Sequence, residues 1–339
     1  MIFFRADANQ HIATGHIMRC ISIAQRFKYH GHAVTFLIAD DYPVTLLEKF
    51  GMDYCVLNSE WDNLDFETET LIDILKKFEK PLLIVDTYSV TRHYIESLIP
   101  YCKCCYLGSK HEYLGGLYAL INYSVSIDYD FYSSNYIRPT KLLLGPSYIP
   151  LREEFLKKSK KGKSNIKCRV FLTTGGSNPN HYIEKILRQI IIDPINKNIE
   201  VEVIAGRMFD SIEAIRDEFG QFDNIRVNEN VKSMAEIMRF CDLAISANGS
   251  TVYELAACCV PVITFAMVKE QVNAAEKLSQ LGLTEYCGEI FGDEITCINK
   301  IIKSLSQFAG SSQRRKILAD KASSLIDGKG CERIYQSLI

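Results

Sequence analysis

The sequence predicts an α/β protein of two Rossmann-like, doubly wound domains facing each other across a cleft. Three observations predict it. A chain of 339 residues exceeds what one hydrophobic core usually organises, so two domains are the expected division. Short apolar runs alternate along the whole chain with stretches of helical spacing, the pattern of parallel sheets covered by helices on both faces. The pattern breaks over 146–163 and then restarts. We therefore expect a first domain over 1–150, a linker over 151–164 and a second domain over 165–339.

In the first half, strands are expected at 2–5, 33–38, 54–57, 82–85 and 103–107. Met18, Ile21, Ala24 and Phe27 follow the first strand at three-residue steps and mark the apolar face of a helix. In the second half, strands are expected at 168–173, 201–205, 225–227, 243–246 and 262–265. Helices are expected there at 181–192, 211–219, 233–240, 251–259 and 272–281. Doubly wound sheets bind ligands beyond the carboxyl ends of their strands. The loops that leave those ends are therefore where the chemistry is sought.

Composition narrows the function classes. The chain is 47% apolar and 24% charged with a net charge of −2, which suits a packed protein and lacks the basic footprint of a nucleic-acid binder. The dense cationic run Lys157-Lys158-Ser159-Lys160-Lys161-Gly162-Lys163 lies between patterned regions and reads as a solvated linker. Cys102 and Cys105 form a lone C-x-x-C with no second pair or histidine at ligand spacing, so no metal site is expected. The other thiols sit in apolar stretches and suit a reducing compartment, and the expected location is the cytoplasm. The opening residues carry no basic region and no cleavage pattern, and no segment approaches the roughly 20 apolar residues of a membrane span. No stable membrane insertion is expected, and no feature identifies a protein partner.

The loop after the first strand carries the first candidate. It runs from Arg5 and Asp7 to Gly15-His16-Ile17-Met18-Arg19, with a helix expected to begin near Gly15. That places His16 in the first helical turn, where the positive end of the helix dipole disfavours a protonated imidazole. A neutral imidazole can act as a general base, and Asp7 and Arg5 stand where they can orient or balance it. By spacing alone, a histidine near a helix start is more often a structural residue. The strand at 82–85 runs into Asp86-Thr87-Tyr88. Asp86 and Tyr88 either reach the ligand edge, or Asp86 caps the next helix and Tyr88 packs half-buried.

Two further loops lie in the second half. Gly175-Gly176, followed by Ser177 and Asn178, lets backbone amides approach an anion. It matches neither a Walker A loop nor G-x-G-x-x-G. The second, Ser246-Ala247-Asn248-Gly249-Ser250-Thr251-Val252-Tyr253-Glu254, ends a strand and starts a helix. A helix start of this kind is suited to a diphosphate, with Ser250 and Thr251 as added donors and Glu254 as an acceptor for ribose hydroxyls. Alternatively, Ser250 is a helix cap and Glu254 its capping partner. Glu270 and Gln271, with Asn273, follow the strand at 262–265 and either reach the same edge or begin a solvated helix. Together the two loops favour a nucleotide.

Phe4-Arg5-Ala6-Asp7, Gly15-His16-Ile17-Met18-Arg19-Cys20, Asp86-Thr87-Tyr88, Arg152-Glu153-Glu154-Phe155, Gly175-Gly176, the 246–254 loop and Gln271 together resemble a known family. It is that of the UDP-2,4-diacetamido-2,4,6-trideoxy-altropyranose hydrolases of pseudaminic acid biosynthesis, which have a glycosyltransferase-B-like (GT-B) fold. The resemblance implies that His16 activates water to attack the anomeric carbon of a UDP-sugar, with inversion and without a metal or cofactor. It places Tyr88 beside that site and the two later loops in the UDP-binding half. The chain departs from the family pattern at Leu107-Gly108-Ser109-Lys110, where relatives commonly carry an Asp-Asp pair, and at Glu270, where many have Asn. These departures leave the sugar and the acceptor open. A glycosyltransferase and a catalytically silent nucleotide-sugar binder remain as alternatives to the hydrolase.

Overall fold

The computed structural model describes residues 1–156, 168–192, 198–206, 209 and 212–339. The lysine-rich run at 157–163, most of the expected linker and Ser211, the expected first residue of the 211–219 helix, lie outside the described residues. The chain divides into two compact units, Met1–Glu153 with Gly328–Ile339, and Glu154–Asp327.

The first unit is built on seven parallel strands: β1 (Ile2–Ala6), β2 (Val34–Ile38), β3 (Asp53–Val56), β4 (Leu82–Asp86), β5 (Lys103–Leu107), β6 (Ala119–Asn122) and β7 (Lys141–Leu144). Their order is β3-β2-β1-β4-β5-β6-β7. The chain winds outward from β1 to β3 and then returns to the other side of β1. The topological switch point therefore lies between β1 and β4, where Ala6 pairs with Asp86.

Strand alternation sorts β1 between two cores. Ile2, Phe4 and Ala6 pack with Ile17, Cys20, Ile21, Ala24 and Phe27 of the Gly15–Tyr29 helix, while Phe3 faces Leu71, Leu75, Ile95 and Leu98. The Gly330–Leu338 helix adds Cys331, Ile334 and Leu338 to the first of these cores. Arg26 pairs with Glu332, and the His30 ring stacks on Tyr335 with centroids 4.0 Å apart. Gly330 passes so close to Ile149 that an added Cβ would lie 2.0 Å from its carbonyl oxygen. The expected division at 165–339 thus differs from the structure at its end. Residues 328–339 belong to the first unit because their three apolar side chains complete its core.

The second unit holds six parallel strands: β8 (Cys168–Thr173), β9 (Ile199–Ile204), β10 (Ile225–Asn228), β11 (Leu243–Ala247), β12 (Val262–Ala266) and β13 (Glu285–Glu289), ordered β10-β9-β8-β11-β12-β13. Its switch point lies between β8 and β11, so the Gly175-Gly176 loop and the Asn248–Thr251 segment leave neighbouring strand ends. Strands β6, β7 and β13 were not anticipated. Two are four-residue runs, and β13 is a polar edge strand whose pairing with β12 shifts register between Thr264 and Ala266. Sheet pairing, not local pattern, makes such segments strands. Among the described residues, no helix is long and apolar enough to cross a membrane.

Candidate active site

His16 is the second residue of its helix and is buried at 4% exposure. Its Nδ1 lies 2.6 Å from Asp86 Oδ1. Arg19 Nη2, which only donates, lies 2.9 Å from the same Nδ1, and the shorter contact sets the assignment: the carboxylate only accepts, Nδ1 donates to it, and in this tautomer the Nε2 lone pair is the ring's acceptor. Arg19, one helical turn further along, binds both oxygens of Asp86 through Nε and Nη2. Its Nη1 donates to the Tyr123 hydroxyl over 2.9 Å. Burial works against ionisation of Asp86, but Arg19 and then His16 outweigh it and hold the carboxyl below its ordinary value. Burial also opposes the charge of Arg19, and Asp86 outweighs it there too, keeping the guanidinium well above its usual value. Cys20, whose Sγ donates to Asp86 Oδ2 over 3.4 Å, is held protonated by burial first and by the neighbouring carboxylate second.

Tyr88, 69% exposed, meets the His16 ring edge-to-face with centroids 4.5 Å apart. Asp86 is therefore not a helix cap: Thr91 caps the Arg92–Leu98 helix, accepting from the Tyr94 amide. The strand end sets a carboxylate beneath the imidazole, and the residue two further on lies against the ring.

Asp7 and Arg5 were expected to orient or balance His16, and the structure engages them elsewhere. Arg5 is fully buried, pairs with Asp7, and binds Glu67 through Nε at 2.6 Å and Nη2 at 2.9 Å. Asp7 Oδ1 accepts the Ala39 amide at 2.8 Å. Burial pushes the Asp7 carboxyl above its usual range in spite of Arg5. Burial also works against the charge of Arg5, yet Asp7 and Glu67 raise its pKa well past the ordinary one. The reason is positional. Arg5 lies on the side of β1 away from the helix that carries His16, Asp7 follows just past the strand's end, and Glu67 reaches Arg5 on that side. Gly15, the first residue of that helix, is exposed.

In the second unit, the Gly175 amide donates to Thr173 Oγ1 at 3.1 Å, and that hydroxyl donates to the Ile204 carbonyl. An added Cβ on Gly206 would lie 2.3 Å from the Gly175 oxygen and 2.5 Å from that of Gly176. Both carbonyls therefore face Gly206. In a trans peptide the amide points opposite the carbonyl, so the amides of Gly176 and Ser177 are turned the other way. Gly176 is exposed.

The Ser250–Ala257 helix begins beside this loop, with Gly249 in extended conformation as its cap and no side chain closing it. Ser250 is thus the first helical residue and not the cap. Gly249 and Ser250 are exposed, and Thr251 and Glu254 are half-buried. Ser246, Asn248 and Gln271 hold the loop in shape. Ser246 Oγ donates to the Ala247 carbonyl at 2.9 Å, Asn248 Nδ2 to the Gln271 carbonyl at 3.1 Å, and the Met267 amide to Gln271 Oε1 at 2.8 Å. Glu270 is exposed on the adjoining turn.

Each unit thus gathers its polar residues at its own switch point. Sequence reasoning did not single out Tyr123, Glu67 or Gly206. Gly206 carried a signal, a glycine just beyond an apolar strand end. Glu67 and Tyr123 carried none, since only the tertiary fold brings them to Arg5 and Arg19. Among the described residues, no group of three or more His, Cys, Asp or Glu side chains is placed to hold a metal ion.

The chain resembles known proteins at two levels. The glycosyltransferase family 28 C-terminal domain matches residues 170–329. An uncharacterized protein of Methanocaldococcus jannaschii, MJ1062, is 22% identical over 76% of this chain and 54% of its own length. The spore coat polysaccharide biosynthesis protein SpsG of Bacillus subtilis is 29% identical over 59% of this chain and 56% of its own. The chain spans about half the length of these curated relatives. Three solved structures share its fold. Acinetobacter baumannii MurG superposes with a TM-score of 0.67 at 13% identity, covering 99% of this chain and 98% of MurG. Anabaena HepE in complex with UDP-glucose gives 0.59 at 14%, covering 99% and 98%. A UDP-N-acetylglucosamine 2-epimerase gives 0.66 at 12%, covering 99% and 94%.

Proposed function

We propose that the chain, which resembles SpsG and matches the glycosyltransferase family 28 C-terminal domain over 170–329, is an enzyme of polysaccharide biosynthesis that hydrolyses a UDP-activated sugar. The observation that carries the reading is the His16–Asp86 hydrogen bond at the switch point of the first unit. With Nδ1–H committed to Asp86, Nε2 takes a proton from water as the water oxygen bonds to the anomeric carbon. The bond from that carbon to the UDP oxygen breaks, its electron pair leaves with UDP, and the sugar is released with inverted configuration. Asp86 stabilises the imidazolium that forms. Arg19 keeps Asp86 ionised, and Tyr88 lies beside the reacting histidine.

The nucleotide-binding features lie in the second unit. Amides of Gly176 and Ser177 and the start of the Ser250–Ala257 helix take the diphosphate, Ser250 and Thr251 add hydroxyl donors, and Glu254 accepts from the ribose. A diphosphate held in this way needs little acid assistance as a leaving group.

Transfer to a sugar or lipid hydroxyl in place of water is the second reading, favoured by the match to a glycosyltransferase domain. UDP release from a panel of UDP-sugars, including diacetamido-trideoxy sugars, decides between them. Release without an acceptor, removed by His16→Ala, supports the hydrolase. Binding with release only when an acceptor is added would replace it by a transferase, and binding with no release under any condition by a silent binder.

A further inference from the structure

His16 Nδ1 has two neighbours that make opposite demands on it. Asp86 Oδ1, an acceptor at 2.6 Å, needs the ring proton there, whereas Arg19 Nη2, a donor at 2.9 Å, needs the lone pair. The tautomer of His16 therefore depends on where the Arg19 fork is held. Its Nε and Nη2 lie on Asp86, and its Nη1 donates to the Tyr123 hydroxyl at 2.9 Å. A guanidinium is a rigid plane. Holding all of its nitrogens fixes it, while a hold on the carboxylate alone leaves it a pivot.

Tyr123 is itself built into place. It directly follows β6, and alternation puts it on the face of Ile121, packed against the core that includes Ile17 and Cys20 of the His16 helix. Asn122 turns to the opposite face, where its Nδ2 donates to the Tyr132 hydroxyl at 3.1 Å, and that hydroxyl donates to the Lys110 carbonyl at 3.0 Å. Asn122 Oδ1 accepts the Ser124 amide at 3.0 Å. The residues on both sides of Tyr123 are thus tied down. The Arg19 guanidinium carbon also lies 5.8 Å from the centre of the Tyr123 ring. Burial raises the phenol above its ordinary value in spite of Arg19. The hydroxyl therefore stays neutral and accepts from the guanidinium without adding a second negative charge to compete with Asp86.

We propose that Tyr123 is a positioning residue, a lock on the tautomer of His16: by holding Nη1 of Arg19 it keeps Nη2 on Asp86 and leaves the ring proton on Nδ1. With that hold gone, the fork slides until Nη2 donates to Nδ1. The ring proton is then lost from Nδ1 to water and regained at Nε2. Asp86 loses its histidine partner, and the nitrogen that must take a proton from water has no lone pair left. The lock stands on the hydrogen bonds alone; its consequence for rate rests on the hydrolase reading above.

Nitrogen NMR of the isotope-labelled full chain, with the His16 signals assigned by their loss in His16→Gln, reads the tautomer at alkaline pH. The wild type should carry the proton on Nδ1. Tyr123→Phe, which removes only the hydroxyl, should move a measurable share of it to Nε2. In the same variant kcat for UDP release should fall roughly tenfold, part of what a general base contributes, with KM unchanged. In an Arg19→Lys background, where no fork spans the carboxylate, Tyr123→Phe should change kcat by less than about twofold. A wild-type ring protonated on Nε2 overturns the proposal whether or not the variants fold. So does a Tyr123→Phe chain with the tautomer and kcat of the wild type. An equal loss in the Arg19→Lys background overturns it too, because the hydroxyl then does not act through Arg19. If the tautomer moves and kcat does not, the lock stands and His16 is not the base. A chain that releases UDP from no sugar sinks the hydrolase reading, and the ring spectrum alone then decides the lock.

Discussion

His16 Nδ1 and Asp86 Oδ1 lie 2.6 Å apart, although 70 positions separate the two residues in the chain. The bond decides which ring nitrogen is left to act on a substrate. Asp86→Asn keeps the shape but removes the charge that fixes the tautomer. UDP release should fall by roughly 10,000-fold, the loss seen when a triad carboxylate is neutralised. His16→Ala should abolish release, and both variants should bind UDP as the wild type does. Retained turnover in a folded His16→Ala protein would make the histidine structural.

The acid limb of stability should carry the signature of the same carboxylate. Asp86 binds its proton less tightly in the fold than at its ordinary value of 3.8. Its contribution is therefore fully present above that value and is lost as pH falls through the lower folded one. The urea-unfolding gap between wild type and Asp86→Asn should narrow as pH falls below about pH 4. A gap that stays constant to about pH 3 would mean that the carboxyl is not preferentially ionised in the fold.

The Arg5 cluster makes a prediction about stability and not chemistry. Glu67→Gln strips one carboxylate from a guanidinium that no solvent reaches. Breaking a buried pair on one side costs about 3–5 kcal/mol, and chemical denaturation should read a loss of that size. A loss below about 1 kcal/mol would show the cluster to be hydrated.

Gly206 tests the nucleotide loop. A methyl group there meets the Gly175 and Gly176 carbonyls at 2.3 and 2.5 Å, and the turn has to move. Gly206→Ala should weaken UDP binding roughly tenfold or more by calorimetry, with the fold retained by circular dichroism. Wild-type affinity would show that the loop can shift without disturbing its amides.

Much of this architecture was legible along the chain. Alternating apolar runs announced two doubly wound sheets, and ten strands lie where that pattern placed them, give or take a residue or two. The strands it did not announce are short or polar, and their hydrogen bonds come from neighbours distant in sequence. The Gly330–Leu338 helix shows the same limit from the other side. Its apolar spacing is readable, but which core it completes is not, because the spacing is blind to the partner.

The site divides along the same line. The chain's own order sufficed to put His16 in a first helical turn, two glycines after a strand and Ser250 at a helix start, since each is a local event of strand, turn and helix. It also put Asp86 at a strand end, but left open whether that carboxylate would cap a helix or reach a ligand. Only the fold decided that Asp86, and not Asp7, meets the imidazole. Parallel pairing of β1 with β4 sets Asp86 under the helix, while strand alternation turns Arg5 toward Glu67 on the other face, and Asp7 pairs with it. Local sequence dictates which residue types stand at a strand end; register between strands far apart in the chain dictates which of them touch.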